Sequence, residues 1–209
     1  MSKNLTVPLA SEPISTAVPA TWLRSAGIVL AGSALVAACA HVALPLDFTP
    51  VPLTMQIFAV LLLGLLLTPR LAGVTLAAYV AEGALGLPVF APGTMGSGGL
   101  MHLFGPTGGY LLCYPAAAAM VSWLWRRPRR SFAAAMFSAA AGDLAILACG
   151  ALWLAAFTHL SALPSITLAV LPFLPGDALQ IAAAAAVAVG WLRLRRRAVY
   201  GIFGNTGND

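Results

Sequence analysis

The sequence predicts an all-α membrane protein with six transmembrane helices, from its composition, its apolar segments and the placement of its charges. Of the 209 residues, 60% are hydrophobic and 8% are charged, and the mean hydropathy is +0.92. Ordinary soluble domains carry about 25% charged residues. At about 20 residues per span, five to seven helices would use most of this chain. We therefore expect one transmembrane domain and no separate soluble domain.

Six apolar segments follow one another along the chain, separated by charged or proline-rich turns. The second and third are short for a hydrocarbon core of about 30 Å and are joined by a tight turn at Pro69. We expect residues 1–20 to form a disordered cytoplasmic tail, 21–197 the six-helix domain and 198–209 a second cytoplasmic tail. The predicted helices are Trp22–Ala40, Leu53–Thr68, Leu71–Leu87, Pro106–Trp125, Ser131–Thr158 and Pro172–Trp191.

The lysines and arginines all fall on one side of a six-helix topology. They lie in the N-terminal segment, at Arg70, in the RRPRR loop that begins at Arg126 and in the RLRRR segment that begins at Arg193. The three opposite loops contain none. Cytoplasmic loops of membrane proteins carry an excess of Lys and Arg, so both termini are predicted to be cytoplasmic. This placement explains the net charge of +5 without a nucleic-acid partner.

The segment from Glu82 to Tyr110 is rich in Gly and Pro and lies on the side opposite the cations. Its sequence, EGALGLPVFAPGTMGSGGLMHLFGPTGGY, contains no Lys, Arg or Asp. Non-helical backbone near membrane depth must be covered by protein or line a water-filled cavity. The segment therefore predicts part of a binding site.

Three acidic residues fall within or at the edge of the predicted helices: Glu82, Asp143 and Asp177. A charge at the centre of a helix costs about 2.5 to 3.5 kcal/mol on insertion. Apart from Arg24 at the cytoplasmic end of the first helix, no basic residue lies within a span, so hydroxyls, amides, backbone N–H groups, water or a ligand must be their partners. For Asp143 we expect a hydrogen bond between helices. Asp177, with Gln180 three residues further on, either contacts a ligand or caps its helix.

Small residues recur along one face of the first helix at Gly27, Ala31, Ala34 and Ala38. Such faces allow helix backbones to approach closely in lipid. The face packs either against another helix of the same chain or against a partner protein.

Two other functions can be derived from single residues. Ser97, in a Met-Gly-Ser-Gly-Gly segment with His159 as a base, could serve an intramembrane serine hydrolase. His41, His102 and His159 all fall in the outer half and could serve a metal-ion permease, although chance placement at a wet interface explains them too. The chain contains no P-loop, so any ATP-driven transport would need another subunit.

Several motifs together carry a resemblance to the BioY family, whose order and spacing hold from about residue 24 to 195. Their glycines, prolines and aromatic residues recur in a specific combination. The motifs are PVPLTMQ (Pro50–Gln56), GLPVFAPG (Gly86–Gly93), GPTGGYLL (Gly105–Leu112), G-x-x-x-I-x-x-x-G-x-x-W (Gly142–Trp153) and LPFLPGD (Leu171–Asp177).

The resemblance implies a six-helix S component, the substrate-binding subunit of an energy-coupling factor (ECF) transporter, with biotin as its ligand. Such a protein is not an enzyme and needs no cofactor or bound metal. It lies in the cytoplasmic membrane of a bacterium, surrounded by membrane lipid. Its partners are a transmembrane coupling subunit and two cytosolic ATPases, although some members occur without them. The Gly27, Ala31, Ala34 and Ala38 face would meet the coupling subunit.

Carried over by motif, the candidate ligand-binding residues are Gln56, Tyr79, Thr107, Tyr110 and Asp177. The ureido ring of biotin needs acceptors for two N–H groups and donors for its carbonyl. Asp177 is the best acceptor, and Gln180, Thr107 or Gln56 could donate. Family members commonly have a lysine where this chain has Gln180. With no cation on the outer side, the biotin carboxylate would be recognised by neutral donors, a histidine or water.

Overall fold

Helices and one short hairpin make up the part of the chain that the computed structural model describes, which comprises residues 20–92, 98–127, 130–159 and 161–203. The predicted tail before Ala20 and the candidate Ser97 lie outside these residues. In chain order the elements are α1 Ala20–Ala40, β1 Ala43–Leu44, β2 Leu53–Thr54, α2 Gln56–Leu66, α3 Pro69–Ala84, α4 Leu100–Leu103, α5 Gly108–Trp125, α6 Phe132–Thr158, α7 Ala162–Ala169 and α8 Leu174–Phe203.

The six longer helices of the described residues correspond in position to the six predicted apolar segments. Three of them contain stretches that are long and apolar enough to cross a membrane: Thr21–Ala40, Phe132–Thr158 and Leu174–Ala198. The chain is therefore a multi-pass membrane protein. The short helices α4 and α7 lie in two of the connections that the sequence predicts on the side without cations.

Helix α2 is shorter than the sequence predicts, and it begins at Gln56 rather than Leu53. The prolines at 50 and 52 keep the preceding chain extended, and Leu53–Thr54 pairs antiparallel with Ala43–Leu44 instead of joining the helix. At about 1.5 Å per residue, the 11 residues of α2 extend about 16 Å. Nearly all of them are buried, so α2 lies in the core of the bundle.

The bundle is organised around α2, which contacts α1, α5, α6 and α8, while α5 packs between α3 and α6. Small residues allow these contacts. A Cβ atom at Gly64 of α2 would lie 2.9 Å from Cβ of Val121 and 3.0 Å from the carbonyl oxygen of Ala118, both on α5. Close approach of helix backbones is the usual means of association in lipid, where apolar burial gives little drive.

Helix α1 packs on α3 and α2 through the side opposite to its predicted small-residue face. Ser33 and Val36 are fully buried, and Gly32 lies against the side chain of Thr75. In contrast, the four residues of the small-residue face are all exposed; they are Gly27, Ala31, Ala34 and Ala38. Among the described residues, packing of that face within the chain, one of the two alternatives, is thus not observed.

Helix α8 continues well beyond the predicted end at Trp191. It runs to Phe203, so the arginine cluster from Arg193 to Arg197 lies on the helix. Leu, Arg and Ala have high helix propensity, which explains why the helix does not stop where the apolar segment stops.

Candidate functional site

A pocket opens at the end of the bundle where α2, α5 and α8 begin. Its walls come from the extended chain before α2, the segment before α5, the inner face of α5 and the start of α8. Most of the lining side chains are apolar, with a few polar groups among them, as is usual in ligand sites. The lining residues are Pro50, Val51, Pro52, Leu53, Thr54, Gln56, Ile57, Ala91, Pro92, His102, Pro106, Thr107, Tyr110, Leu111, Tyr114, Leu147, Phe173 and Asp177.

Asp177 presents a buried acceptor to this pocket. The residue is 2% exposed, and within the described part of the chain its Oδ2 atom is buried without a hydrogen-bond partner. Its backbone N–H donates to the carbonyl of Phe173 over 2.8 Å, as expected in the first turn of α8. An unpaired buried acceptor costs about 1 to 3 kcal/mol. This favours ligand contact over helix capping as the role of Asp177.

Gln56, the first residue of α2, is held in place by two side-chain hydrogen bonds. Its Nε2 donates to the hydroxyl of Tyr79 over 2.6 Å, and its Oε1 accepts from Oγ1 of Thr54 over 3.1 Å. The Tyr79 hydroxyl in turn donates to the carbonyl of Val89 over 2.9 Å. Tyr79 is fully buried and does not line the pocket. It fixes Gln56, whose second amide hydrogen remains available to the pocket.

Tyr110 joins three helices at the pocket wall. Its hydroxyl donates to the carbonyl of Ala169, the last residue of α7, over 2.7 Å. Its ring lies against Gly150 of α6, where a Cβ atom would overlap it. The ring centroid is 6.3 Å from that of Phe173. The aromatic wall of the pocket is therefore supported from behind by a glycine.

The GPTGGY segment starts α5 directly against α6. Trp153 donates from Nε1 to the carbonyl of Gly105 over 2.8 Å. A Cβ atom at Gly109 would lie 2.7 Å from the carbonyl oxygen of Cys149 and would overlap Trp153. Thr107 precedes the helix, and its side chain caps no backbone amide there. Thr107 is one of the residues that line the pocket.

Gln180 lies one turn below Asp177 and is not among the lining residues. Its Oε1 accepts from the backbone N–H of Phe58 over 2.8 Å, and its Nε2 donates to the carbonyl of Thr54 over 3.1 Å. The first backbone N–H groups of a helix lack intrahelical partners, and the N-cap residue Met55 provides no side-chain hydrogen bond. Gln180 therefore caps α2 from a neighbouring helix.

Fourteen of the 18 lining residues were not among the sequence-predicted ligand-binding residues, and three of these fourteen carry aromatic rings: His102, Tyr114 and Phe173. His102, which the sequence suggests for a wet interface, is buried, and its ring centroid lies 5.0 Å from that of Phe90. Tyr114 follows Tyr110 by four residues, a spacing that places both on one helix face and could have identified it. Phe173 belongs to the LPFLPGD motif, but the motif does not show that its side chain points toward the pocket.

The other two acids differ in their environments. Glu82 is half-buried, and Ser33 of α1 donates a hydrogen bond to its Oε2, so a hydroxyl is its partner, as the absence of cations predicts. For Asp143 the expected hydrogen bond between helices is not formed at Oδ1. That atom is buried without a partner among the described residues.

The residues suggested for hydrolase or metal chemistry are not brought together in the described part of the chain. Ser97 is outside it. His41 and His159 are exposed, whereas His102 is buried. The described residues contain no group of three His, Cys, Asp or Glu side chains that could hold a metal ion.

Comparison with known proteins agrees with the motifs. Residues 8–197 match the model of the BioY family. The chain is 40% identical over 139 residues to the probable biotin transporter BioY of Pyrococcus horikoshii, covering 66% of this chain and 79% of that protein. It is 35% identical over 164 residues to the biotin transporter BioY of Thermotoga maritima, covering 78% and 91%.

A solved structure has the same fold. The crystal structure of the S-component for biotin from an ECF-type ABC transporter matches with a TM-score of 0.74 at 22% identity, covering 86% of this chain and 94% of that one. Because the family model spans most of the sequence, the chain belongs to the BioY family.

Proposed function

We propose that this protein binds biotin and takes it up across the cytoplasmic membrane as the S component of an ECF-type ABC transporter. It is a transport subunit rather than an enzyme. The observation that carries the proposal concerns Asp177, which lines a largely apolar pocket built from BioY-family motifs and whose buried Oδ2 has no hydrogen-bond partner among the described residues. The relatives named above are biotin transporters.

The chemistry of biotin matches the polar groups of the pocket. One ureido N–H would donate to Asp177, and the ureido carbonyl would accept from the hydroxyl of Thr107 or the amide of Gln56. A buried ureido group left unpaired would cost about 1 to 3 kcal/mol, so these contacts would give selectivity as well as affinity. Tyr79 and Gln180 would not contact biotin themselves. They hold Gln56 and the start of α2 in position by hydrogen bonds.

The apolar parts of biotin match the rest of the lining. Tyr110, Tyr114 and Phe173 offer aromatic faces to the thiophane ring and the valeryl chain. The described lining contains no Lys or Arg and one histidine, His102. We propose that His102, neutral donors or water recognise the valerate carboxylate.

In the membrane, we propose six spans with both termini cytoplasmic in a bacterial cell, because this topology gathers every Lys and Arg on the cytoplasmic side. The exposed face formed by Gly27, Ala31, Ala34 and Ala38 would dock onto the transmembrane coupling subunit. Two cytosolic ATPases would drive transport where these partners are present.

Equilibrium binding of labelled biotin to the detergent-purified chain tests ligand identity. We expect saturable binding at one site per chain. Desthiobiotin, which keeps the ureido ring and lacks the sulfur, should compete, whereas valerate should not. Absence of saturable binding would contradict the proposal, and competition by valerate alone would contradict the role of the ureido contacts.

Uptake of labelled biotin by cells tests the role in transport. A host that lacks its own biotin uptake would express the chain alone or with the coupling and ATPase subunits. Faster uptake with the partners, lost when the ATPases carry inactivating substitutions, is expected of an S component. Equal uptake in both cells would contradict dependence on the partners while leaving biotin binding intact.

A further inference from the structure

A second cleft lies at the opposite end of the bundle from the pocket, where α2 and α5 end and α8 passes by. Its defining residues are Arg126, Arg130, Arg195, Trp125 and Trp191, with the last leucines of α2 as its floor. We refer to it as the arginine–tryptophan cleft. Nothing in the proposed transport function requires a cleft at this end of the molecule.

The three arginines of this cleft carry charges that no carboxylate of the described residues neutralises. No carboxylate forms an ion pair with them within the described part of the chain, and Asp177 lies at the other end of α8. Arg126 donates from Nε to the hydroxyl of Ser122 over 3.3 Å, and Cζ of Arg195 lies 5.9 Å from the ring centroid of Trp191. A guanidinium has five N–H donors, so most of them remain available to an anion.

The edge of the cleft is apolar and exposed. Trp191 is 52% exposed and Leu66 is 37% exposed, whereas Trp125 at the back is buried. Tryptophan is enriched where membrane proteins cross the bilayer interface. An occupant that satisfies both parts of the cleft therefore has an anionic head for the guanidinium groups and a hydrocarbon part for Leu66 and Trp191.

We propose that the arginine–tryptophan cleft binds the phosphate group of an anionic phospholipid, with an acyl chain along Leu66 and Trp191. Arginine suits this role because its planar donors pair with two phosphate oxygens at once and its charge is permanent. Basic pockets between transmembrane helices on the cytoplasmic side are known to hold acidic lipid head groups. The bound lipid joins the ends of α2, α5 and α8.

Thermal unfolding of the full chain in detergent tests this proposal. Cardiolipin or phosphatidylglycerol is added in one series, phosphatidylcholine in a second and inorganic phosphate in a third. At a lipid concentration 100-fold above its Kd, we expect the anionic lipid to raise the Tm by about 5 to 10 °C. Phosphatidylcholine, whose choline cation offsets the phosphate charge, and inorganic phosphate, which has no acyl chain, should each shift the Tm by less than about 2 °C.

Substitutions locate the effect. R126Q/R195Q should lose the lipid-dependent shift, and R193Q/R196Q, which removes the same charge from exposed arginines of α8 outside the cleft, should keep it. R126K/R195K keeps the positive charges but lacks the paired guanidinium donors, so it should retain part of the lipid-dependent Tm shift. This variant tests the proposal even if the glutamine variant fails to fold. Biotin binding by each variant reports its folding independently of lipid.

Two results would overturn the proposal. One is an equal shift from anionic lipid in R126Q/R195Q and in the wild type. The other is a full shift from inorganic phosphate, which would assign the cleft to a free anion rather than to a lipid.

Discussion

The ring of Tyr110 occupies the space in which any residue other than glycine at position 150 would place its Cβ atom. Gly150 lies on α6 and Tyr110 on α5, and the tyrosine hydroxyl reaches the carbonyl of Ala169 over 2.7 Å. The lack of a side chain at Gly150 thus sets the position of the Tyr110 ring in the pocket wall and allows its hydrogen bond to α7. Gly150 does not itself line the pocket, and it acts on the site through the aromatic residue packed on it.

We expect Gly150→Ala to weaken both stability and biotin binding. The new methyl group would overlap the Tyr110 ring, which can move only by giving up its hydrogen bond to Ala169. Overpacking of this kind costs about 1 to 3 kcal/mol, and thermal unfolding and biotin affinity measure the two effects. Gly190→Ala is the matched control, because a Cβ atom there meets nothing within 4 Å. Equal effects of the two substitutions would contradict the seating of Tyr110 on Gly150.

Asp177→Asn should lower biotin affinity roughly 10- to 100-fold. Hydrogen bonds to charged groups contribute about 1.5 to 3 kcal/mol, and each 1.4 kcal/mol is about tenfold in Kd. The fold should persist, because Oδ2 of Asp177 has no partner within the described chain to lose. Equilibrium binding measures the effect. Asp47→Asn, at an exposed loop position, removes the same charge and should leave the Kd unchanged, whereas an unchanged Kd in Asp177→Asn would rule out the assigned contact.

The sequence was sufficient for the helices and for the motifs that build the pocket, because both depend on local composition and spacing. It could not give the length of α2, since the pairing of Leu53–Thr54 with Ala43–Leu44 is a contact between two strands that the apolar pattern of the helix does not reveal. The sequence also did not show which face of each helix points toward the pocket. Asp143 and Asp177 are both acids in apolar surroundings, but only the second lines the pocket.

Gln180 illustrates the same limit. Its spacing from Asp177 suggests a shared face toward a ligand, but its amide bonds with the backbone of Phe58 and Thr54. The backbone N–H groups at the start of α2 need acceptors, and no side chain of the N-cap residue supplies one. This requirement becomes visible only once α2 and α8 are seen together.

We expect Gln180→Leu to act mainly on stability, by lowering the free energy of unfolding, rather than on biotin affinity. The substitution removes the acceptor for the Phe58 N–H and leaves a backbone donor of a core helix unpaired, which costs about 1 to 3 kcal/mol. Thermal unfolding should show a Tm lower by about 3 to 10 °C. Gln180→Glu keeps an acceptor at the positive end of α2 and should lose less. A larger loss in Gln180→Glu than in Gln180→Leu would show that capping is not the role of this residue.

Asp143→Asn is expected to leave stability unchanged or to raise it slightly. Oδ1 of Asp143 has no hydrogen-bond partner in the described chain, and a neutral amide removes a charge that is costly to bury. Biotin affinity should stay within about twofold of wild type, because Asp143 does not line the pocket. A clear fall in the Tm would instead reveal a structural hydrogen bond through the other carboxylate oxygen.

Ala31→Trp and Ala34→Trp should block assembly with the coupling subunit without affecting the ligand. Both residues lie on the exposed face of α1, and a bulky side chain there would hold a partner helix away from a surface whose small residues permit close approach. Copurification of the coupling subunit should fall at least tenfold, while biotin affinity should stay within about twofold of wild type. Leu144→Trp places the same side chain at a position of α6 that is 68% exposed and should copurify normally. If assembly survives both α1 substitutions, the docking surface must lie elsewhere on the bundle.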